Sequence, residues 1–225
     1  MKLTGIFLYP DLGEFKSSAA LSFRNQTRFV CHYVQQFLAA RKIETDGFNR
    51  MCVVGRRVAS GASVRNSSNV LVVEVPFDIA EYEQTLEDDL PEYFIGLLAA
   101  GFTKGSRDAQ LPLELFQEAI TSFRQAGYKN NWVHTRRMFR SAGISCELLC
   151  ELDRSAFHLI LEVQRGGEQI FSQEILRTLP DEVAYVHRFK DVVLEGHTLL
   201  VRDKFGKSLF ALNLQERNSS PNSGV

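Results

Sequence analysis

Five histidines and four cysteines are the residues of this 225-residue chain with the widest chemical repertoire. Their spacing points away from a shared site. His32, His134, His158, His187 and His197 include no pair four residues apart on a helix, the arrangement a helical zinc site needs. His32 adjoins Cys31, yet adjacent helix positions point in different directions, so these two form no nucleophile–base pair by themselves. Cys31, Cys52, Cys146 and Cys150 contain no C-x-x-C pair. In a chain of this length with no export signal, we expect them buried and reduced. Cys146 and Cys150, four apart in a strand-like stretch, should share one face. We expect no metal and no cofactor.

Two stretches suggest phosphate or carboxylate chemistry. Gly55-Arg56-Arg57-Val58-Ala59-Ser60-Gly61-Ala62-Ser63 follows a strand and combines glycines with arginines. It lacks the Gly-Lys-Ser/Thr ending of a phosphate loop, and no helix pattern follows to supply the N–H donors of an anion site. An exposed loop is the plainer reading. Asp11 with Glu14-Phe15-Lys16 resembles an acid-x-lysine nuclease element, but it sits in a turn, and such triplets arise by chance. We assign no catalytic residue.

The stronger signal is segregated charge. Residues 66–103 hold no Lys or Arg and eight carboxylates: Glu74, Asp78, Glu81, Glu83, Glu87, Asp88, Asp89 and Glu92. The whole chain has a formal charge of −1, so the remainder is net basic by seven. Segregation of this kind bears on partners rather than on fold. We expect a partner surface at Glu81, Glu83, Glu87, Asp88, Asp89 and Glu92, with Tyr82 and Tyr93 as aromatic anchors. An alternative basic site lies further on. Arg124, Lys129, Arg136, Arg137 and Arg140 interleave with Trp132 and His134, and no acid occurs between Glu118 and Glu147. Basic and aromatic residues together suit a nucleic-acid surface, whereas a pI near 6.5 argues against nucleic acid as the main ligand. The same arginines also stand ready to neutralise the acidic stretch from within.

The elements that must position these groups follow from periodicity. An apolar run at 3–9 ends at Pro10 and reads as a strand. Residues 19–23 are ambiguous and admit a second short strand. Phe29, Val30, Tyr33, Val34, Phe37 and Leu38 repeat at helical intervals. Strands are expected at 50–55 and 69–77, the latter apolar enough to lie inside a sheet covered on both faces. Asp78 should cap a helix reaching about Glu87, Pro91 should open one reaching about Phe102, and Pro112 a third that stops at Gly127. A fourth helix is expected over 130–143, carrying Trp132, Arg136 and Phe139. From Ile144 the period becomes two, with strand-like runs at 144–152, 157–164, 169–176, 183–189, 198–202 and 208–214, separated by turn residues such as Gly166-Gly167.

The expected fold is therefore α+β: N-terminal strands with a packed helix, a central helical segment and a C-terminal antiparallel β-meander. We expect one domain over 1–216, with a subdivision allowed near 143/144, and a disordered tail at 217–225. Apolar residues make up 44% of the chain, and the 17 phenylalanines imply a well-filled core. No apolar run approaches the roughly 20 residues of a membrane span, and the N-terminal run is too short for a signal peptide; we expect a cytoplasmic location and no membrane association.

A chain of this build, with a meander containing Glu174-Ile175-Leu176-Arg177-Thr178-Leu179-Pro180-Asp181-Glu182 and Asp203-Lys204-Phe205-Gly206-Lys207, resembles bacterial immunity proteins that neutralise toxins delivered between cells. The resemblance implies a non-enzymatic protein that binds one cognate toxin and blocks its active site or substrate entry. A basic partner, such as a secreted toxin domain, would suit the acidic stretch. No family motif is shared, so no functional residue carries over. A small hydrolase or transferase with a dispersed site near His134, Arg136 and Arg137, and a nucleic-acid accessory protein using 124–140, remain as alternatives. The sequence leaves the oligomeric state open.

Overall fold

The computed structural model describes residues 1–15 and 18–215. The tail expected to be disordered lies outside the described residues, as does Lys16 of the acid-x-lysine triplet. The fold is α+β, with a mixed N-terminal sheet and antiparallel C-terminal strands. Two compact units are present: Met1–Asn130 together with Asp153–Ser155, and Asn131–Leu152 together with the described residues from Ala156 onward.

In the first unit, β1 (Gly5–Pro10), β2 (Arg50–Arg56) and β4 (Val70–Pro76) run parallel, and β3 (Val64–Arg65) pairs antiparallel at the far edge. The register sets Ile6 opposite Met51 and Met51 opposite Leu71, with Leu8, Val53 and Val73 one pleat further on. All six are at most 1% exposed. This face carries the core. The opposite face holds Phe7, Tyr9, Cys52, Val54 and Val72, and its Phe7, Tyr9 and Val72 are only half-buried. The apolar run of β4 does place it inside the sheet, as expected, but its two faces are not equally covered.

Parallel strands need long crossovers, and helices supply them. Between β1 and β2 come α1 (Ser18–Gln26) and α2 (Arg28–Ala40). Residues 19–23 are thus helical and form no second strand; Ala20 and Phe23, three apart, are the buried positions of α1. The join between these helices closes the outer side of β1. Thr27 Oγ1 donates to Leu8 O at 2.8 Å, Arg28 Nη1 donates to Ile6 O at 3.0 Å, and the Ile6 N–H donates to Gln35 Oε1 at 3.2 Å. Thr27 and Arg28 are 0% and 4% exposed, so these bonds satisfy backbone groups that burial would otherwise leave unpaired.

After β4 the chain turns helical. Asp78 caps α3 (Ile79–Gln84) by accepting the Ala80 N–H at 2.9 Å. Pro91 lies in the first turn of α4 (Leu90–Ala109), which extends well past the expected end near Phe102. Then comes α5 (Leu113–Gln125). Much of the phenylalanine content forms one continuous chain of rings. Phe15 meets Phe77, Phe77 meets Phe23, Phe23 meets Phe94, and Phe29 links Phe94 to Phe123 at centroid distances of 4.9–6.5 Å. Edge-to-face contacts dominate, as ring quadrupoles favour.

The second unit begins with a correction. Residues 131–139 form a strand, β5 (Asn131–Phe139), followed by a short 3-10 turn at Arg140–Ala142; the fourth helix is absent. Val133 and Thr135 are β-branched, and Trp132 packs on Phe157 at 6.1 Å, so tertiary pairing decides the outcome. The sheet runs β5-β6-β7-β8, with β6 (Ile144–Leu152), β7 (Phe157–Arg165) and β8 (Glu168–Thr178). Its buried face alternates cleanly: Cys146, Leu148 and Cys150 on β6, Leu159, Leu161 and Val163 on β7, all at most 1% exposed. The β7–β8 turn uses Gly166 and Gly167 at φ of 59° and 90°, the pair of positive angles a two-residue hairpin requires.

A second correction falls at 183–189. Asp181 accepts the Val183 N–H at 3.0 Å and starts a one-turn helix, α6 (Glu182–Tyr185), in place of a strand. Tyr185 and Phe189, four residues apart, both stack on Phe157, at 3.8 and 5.5 Å. The remaining strands, β9 (Asp191–Glu195), β10 (Thr198–Arg202) and β11 (Ser208–Asn213), form their own antiparallel sheet in the order β11-β10-β9. The expected meander is therefore divided between two sheets. Among the described residues no helix is long and apolar enough to cross a membrane.

Close packing of α4 on the first sheet rests on a missing side chain. A Cβ at Gly101 would lie 2.5 Å from Val53 Cγ2, whereas one at Gly96 meets nothing within 4 Å. Gly101→Ala should therefore destabilise the protein by about 1–3 kcal/mol through overpacking, and Gly96→Ala should stabilise it by up to about 1 kcal/mol through helix propensity. Chemical denaturation of both variants reads this directly; equal effects would remove the close approach as a constraint.

Candidate functional site: an acidic surface and its internal counter-ions

The acidic stretch folds into α3, the turn after it and the start of α4. Glu81, Glu83, Glu87, Asp88, Asp89 and Glu92 are all exposed. Two of them have arginine partners. Arg124 donates through Nε and Nη2 to the two oxygens of Glu92, both at 2.7 Å, and the Tyr128 hydroxyl adds a third bond at 2.7 Å. The Arg124 guanidinium holds the Glu92 carboxyl below the usual range. Arg154 Nη1 donates to the Glu87 carbonyl at 2.6 Å, and its Nη2 lies 3.5 Å from the Glu87 carboxylate. Among the described residues, no ion pair reaches Glu81, Glu83, Asp88 or Asp89. Internal neutralisation is real but partial.

Of the two expected anchors, Tyr82 is buried and Tyr93 half-buried. Tyr82 is 7% exposed, its ring lies edge-on to Phe23 at 5.0 Å, and its hydroxyl donates to Gln26 Oε1 at 3.2 Å. Tyr93 stacks against Tyr82 at 6.4 Å, and its hydroxyl is buried with no hydrogen-bond partner among the described residues. That burial, with Glu81 and Asp78 nearby, drives the Tyr93 hydroxyl pKa upward. The apolar side chain this surface does present is Leu86, 71% exposed in the turn between the helices. Its place between acidic residues gave no hint of that role in the sequence.

The basic segment is divided between the two units. Arg124 and Lys129 belong to the first unit, and Trp132, His134, Arg136, Arg137 and Arg140 to the second. On β5, Arg136 Nε donates to Glu147 at 2.6 Å, and Arg137 grips Asp191 through two bonds of 2.9 and 2.8 Å. His134 Nε2 lies 3.1 Å from the Lys190 carbonyl, and its ring sits edge-on to Phe189 at 4.8 Å. Lys129 and Arg140 are exposed, and no ion pair reaches them among the described residues. Trp132 is half-buried, with its ring tilted against Phe157.

The loop read as a weak phosphate-binding candidate is held by the chain's own carboxylates. Arg56, at the end of β2, lies 3.4 Å from Asp11, 2.9 Å from Glu14 and 2.8 Å from Glu74. The N–H groups beyond it are taken in turn. Arg57 donates to Glu14 at 3.0 Å, Ser60 to Glu74 at 2.7 Å and Ser63 to Asp108 at 2.8 Å. These are the donors a bound phosphate would need. The bond from Ser60 lowers the pKa of Glu74, that from Arg57 lowers Glu14, and Arg107 with Ser63 lowers Asp108. Sequence spacing gave no sign of Asp108, 45 residues from the amide it accepts.

All four cysteines are buried thiols. Burial pushes the Cys146 and Cys150 thiols up to about 11 and about 12, far from the thiolate a nucleophile needs at neutral pH. His32 is also interior, with Nδ1 3.1 Å from Asn130 Nδ2 and Nε2 3.1 Å from Gln36 Nε2. Among the described residues, no group of three or more His, Cys, Asp and Glu side chains is placed to hold a metal ion. No protein-family model, curated protein or solved structure matches the chain.

The loop clamp has a pH signature. Glu74 has a folded pKa below its unfolded one, so its stabilising contribution is complete above the unfolded value, about 4.3, and is lost as pH falls through the folded value. Glu74→Gln should lower the denaturation midpoint at pH 7 and flatten its acid limb below about pH 4. An acid limb identical to that of the parent protein would remove Glu74 from the clamp.

Proposed function

We propose that this chain is a non-enzymatic binding protein whose acidic surface engages a basic protein partner. Glu81, Glu83, Asp88 and Asp89, exposed around Leu86 and free of internal counter-cations among the described residues, carry the reading. Exposed carboxylates attract a cationic surface over a Debye length of about 8–10 Å. They speed encounter and penalise acidic competitors, while the apolar residue among them gains by being covered. Glu87 and Glu92, already held by Arg154 and Arg124, shape the surface more than they charge it.

The specific form we propose is a bacterial immunity protein acting in the cytoplasm on a toxin delivered between cells. The α+β build with its antiparallel C-terminal strands fits that reading, as does an acidic surface facing a toxin that itself binds nucleic acid through basic residues. Neutralisation would then follow from covering the toxin's substrate-binding face. His134, Arg136 and Arg137, on which the alternative of a dispersed-site enzyme rests, are engaged with the Lys190 carbonyl, Glu147 and Asp191.

Replacing Glu81 and Glu83 by Gln and Asp88 and Asp89 by Asn keeps the shape and removes the charge. The immobilised parent protein should retain a basic polypeptide from host lysate at low salt and release it at about 0.5 M salt, and the fourfold variant should retain at least tenfold less. Equal retention by both proteins would exclude the acidic surface, and a retained partner whose activity is unaffected by binding would exclude neutralisation.

A further inference from the structure

A second exposed patch, on the other unit, has the opposite character. The β10–β11 turn is built around Asp203, whose Oδ1 accepts the N–H groups of Phe205 and Lys207, both at 2.8 Å. Gly206, at φ 82°, completes it. This fixed turn holds Phe205 83% exposed, where a polar residue is the usual occupant. The Lys204 N–H donates to the His187 carbonyl at 3.2 Å, and the Lys190 N–H to the Arg202 carbonyl at 2.7 Å, which sets the turn beside the end of α6. There Val183 and Val186 are 78% and 47% exposed.

The charge around this apolar patch is unbalanced. Asp191 is held by Arg137, Glu195 by Arg202 and Asp203 by its own turn, while Asp181, which accepts the Val183 N–H, and Glu182 are half-buried at the start of α6. Arg188, Lys190, Lys204 and Lys207 are exposed, and none takes part in an ion pair among the described residues. The outcome is an apolar centre with a cationic rim. The acidic surface of the first unit is its converse, with Leu86 exposed among Glu81, Glu83, Asp88 and Asp89.

We infer that two copies of this chain associate head to tail, the 81–89 surface of one against the Phe205-centred surface of the next. Leu86 and Phe205 supply apolar area at the centre, and the four carboxylates face the four cations. Such a contact is heterologous, so it closes into a ring or continues as a chain. The inference needs no foreign partner and stands whether or not the toxin reading holds. A basic partner and a neighbouring copy would compete for the same carboxylates.

Sedimentation velocity of the full chain tests this, using Lys204→Glu with Lys207→Glu in one variant and Asp88→Lys with Asp89→Lys in another. The parent protein should associate with rising concentration at about 50 mM salt and dissociate at about 500 mM. Each variant alone should associate at least tenfold more weakly. An equimolar mixture of the two should regain association, because one complementary pair of surfaces is restored. Phe205→Ser, which alters no charge, should also weaken association at least tenfold, and circular dichroism verifies that each variant is folded. A parent protein that stays monomeric at about 1 mM, a mixture that stays monomeric, or capture of an acidic peptide or single-stranded DNA by the Phe205 patch in place of a second copy would each overturn the inference.

Discussion

Arg56 is the interaction on which the first unit turns. It stands at the end of β2 and draws in Asp11 from the turn after β1, Glu14 three residues further on, and Glu74 from β4. Those carboxylates then hold the loop that leaves β2, through the amides of Arg57 and Ser60. One guanidinium thus ties the three parallel strands at the end where the chain must leave the sheet and return. Single ion pairs at such exposure contribute little, but here the charges form a network that also orients backbone amides. The same arrangement gives the amides of a Gly- and Ser-rich loop beside two arginines their anions from within the chain.

The acidic stretch shows the same principle left incomplete. Glu92 and Glu87 are drawn inward by arginines that lie 32 and 67 residues away in the chain. The other carboxylates of α3 and its following turn receive no such partner among the described residues, and the turn exposes a leucine as well. Leaving solvated carboxylates without counter-ions costs little in stability, yet it creates a long-range field. The combination of partial internal neutralisation with a residual charged face sets this surface apart from the arginines of β5, which are engaged with Glu147 and Asp191.

Much of this fold was legible in sequence because local and tertiary signals agreed. The parallel strands announced themselves as apolar runs, Asp78 capped as expected, and α5 ran from Pro112 to its stop near Gly127. The failures cluster where tertiary packing overrides a local pattern. Residues 131–139 carry aromatic and basic residues at intervals that mimic a helix, but most of the strand is exposed, so no apolar alternation revealed its pleat. Residues 183–189 alternate like a strand, yet Asp181 and the stacking of Tyr185 and Phe189 on Phe157 make a helical turn. The charge of the candidate site was readable by counting. The burial of Tyr82 and of the Tyr93 hydroxyl, and the exposure of Leu86 and Phe205, depend on which way each helix and turn faces, which counting does not reveal.

The side chains that close off β1 have a consequence beyond stability. The outermost strand of a sheet is a template to which another extended segment can add, and repeated addition leads to fibrils. Thr27, Arg28 and Gln35 occupy the Leu8 and Ile6 carbonyls and the Ile6 N–H, which such a newcomer would have to reach. On that flank, backbone-templated growth is opposed by side chains from the helical crossover that follows the strand. Association there is left to side chains, whose attractions ionic strength and sequence can tune, and strand addition in that direction has no foothold.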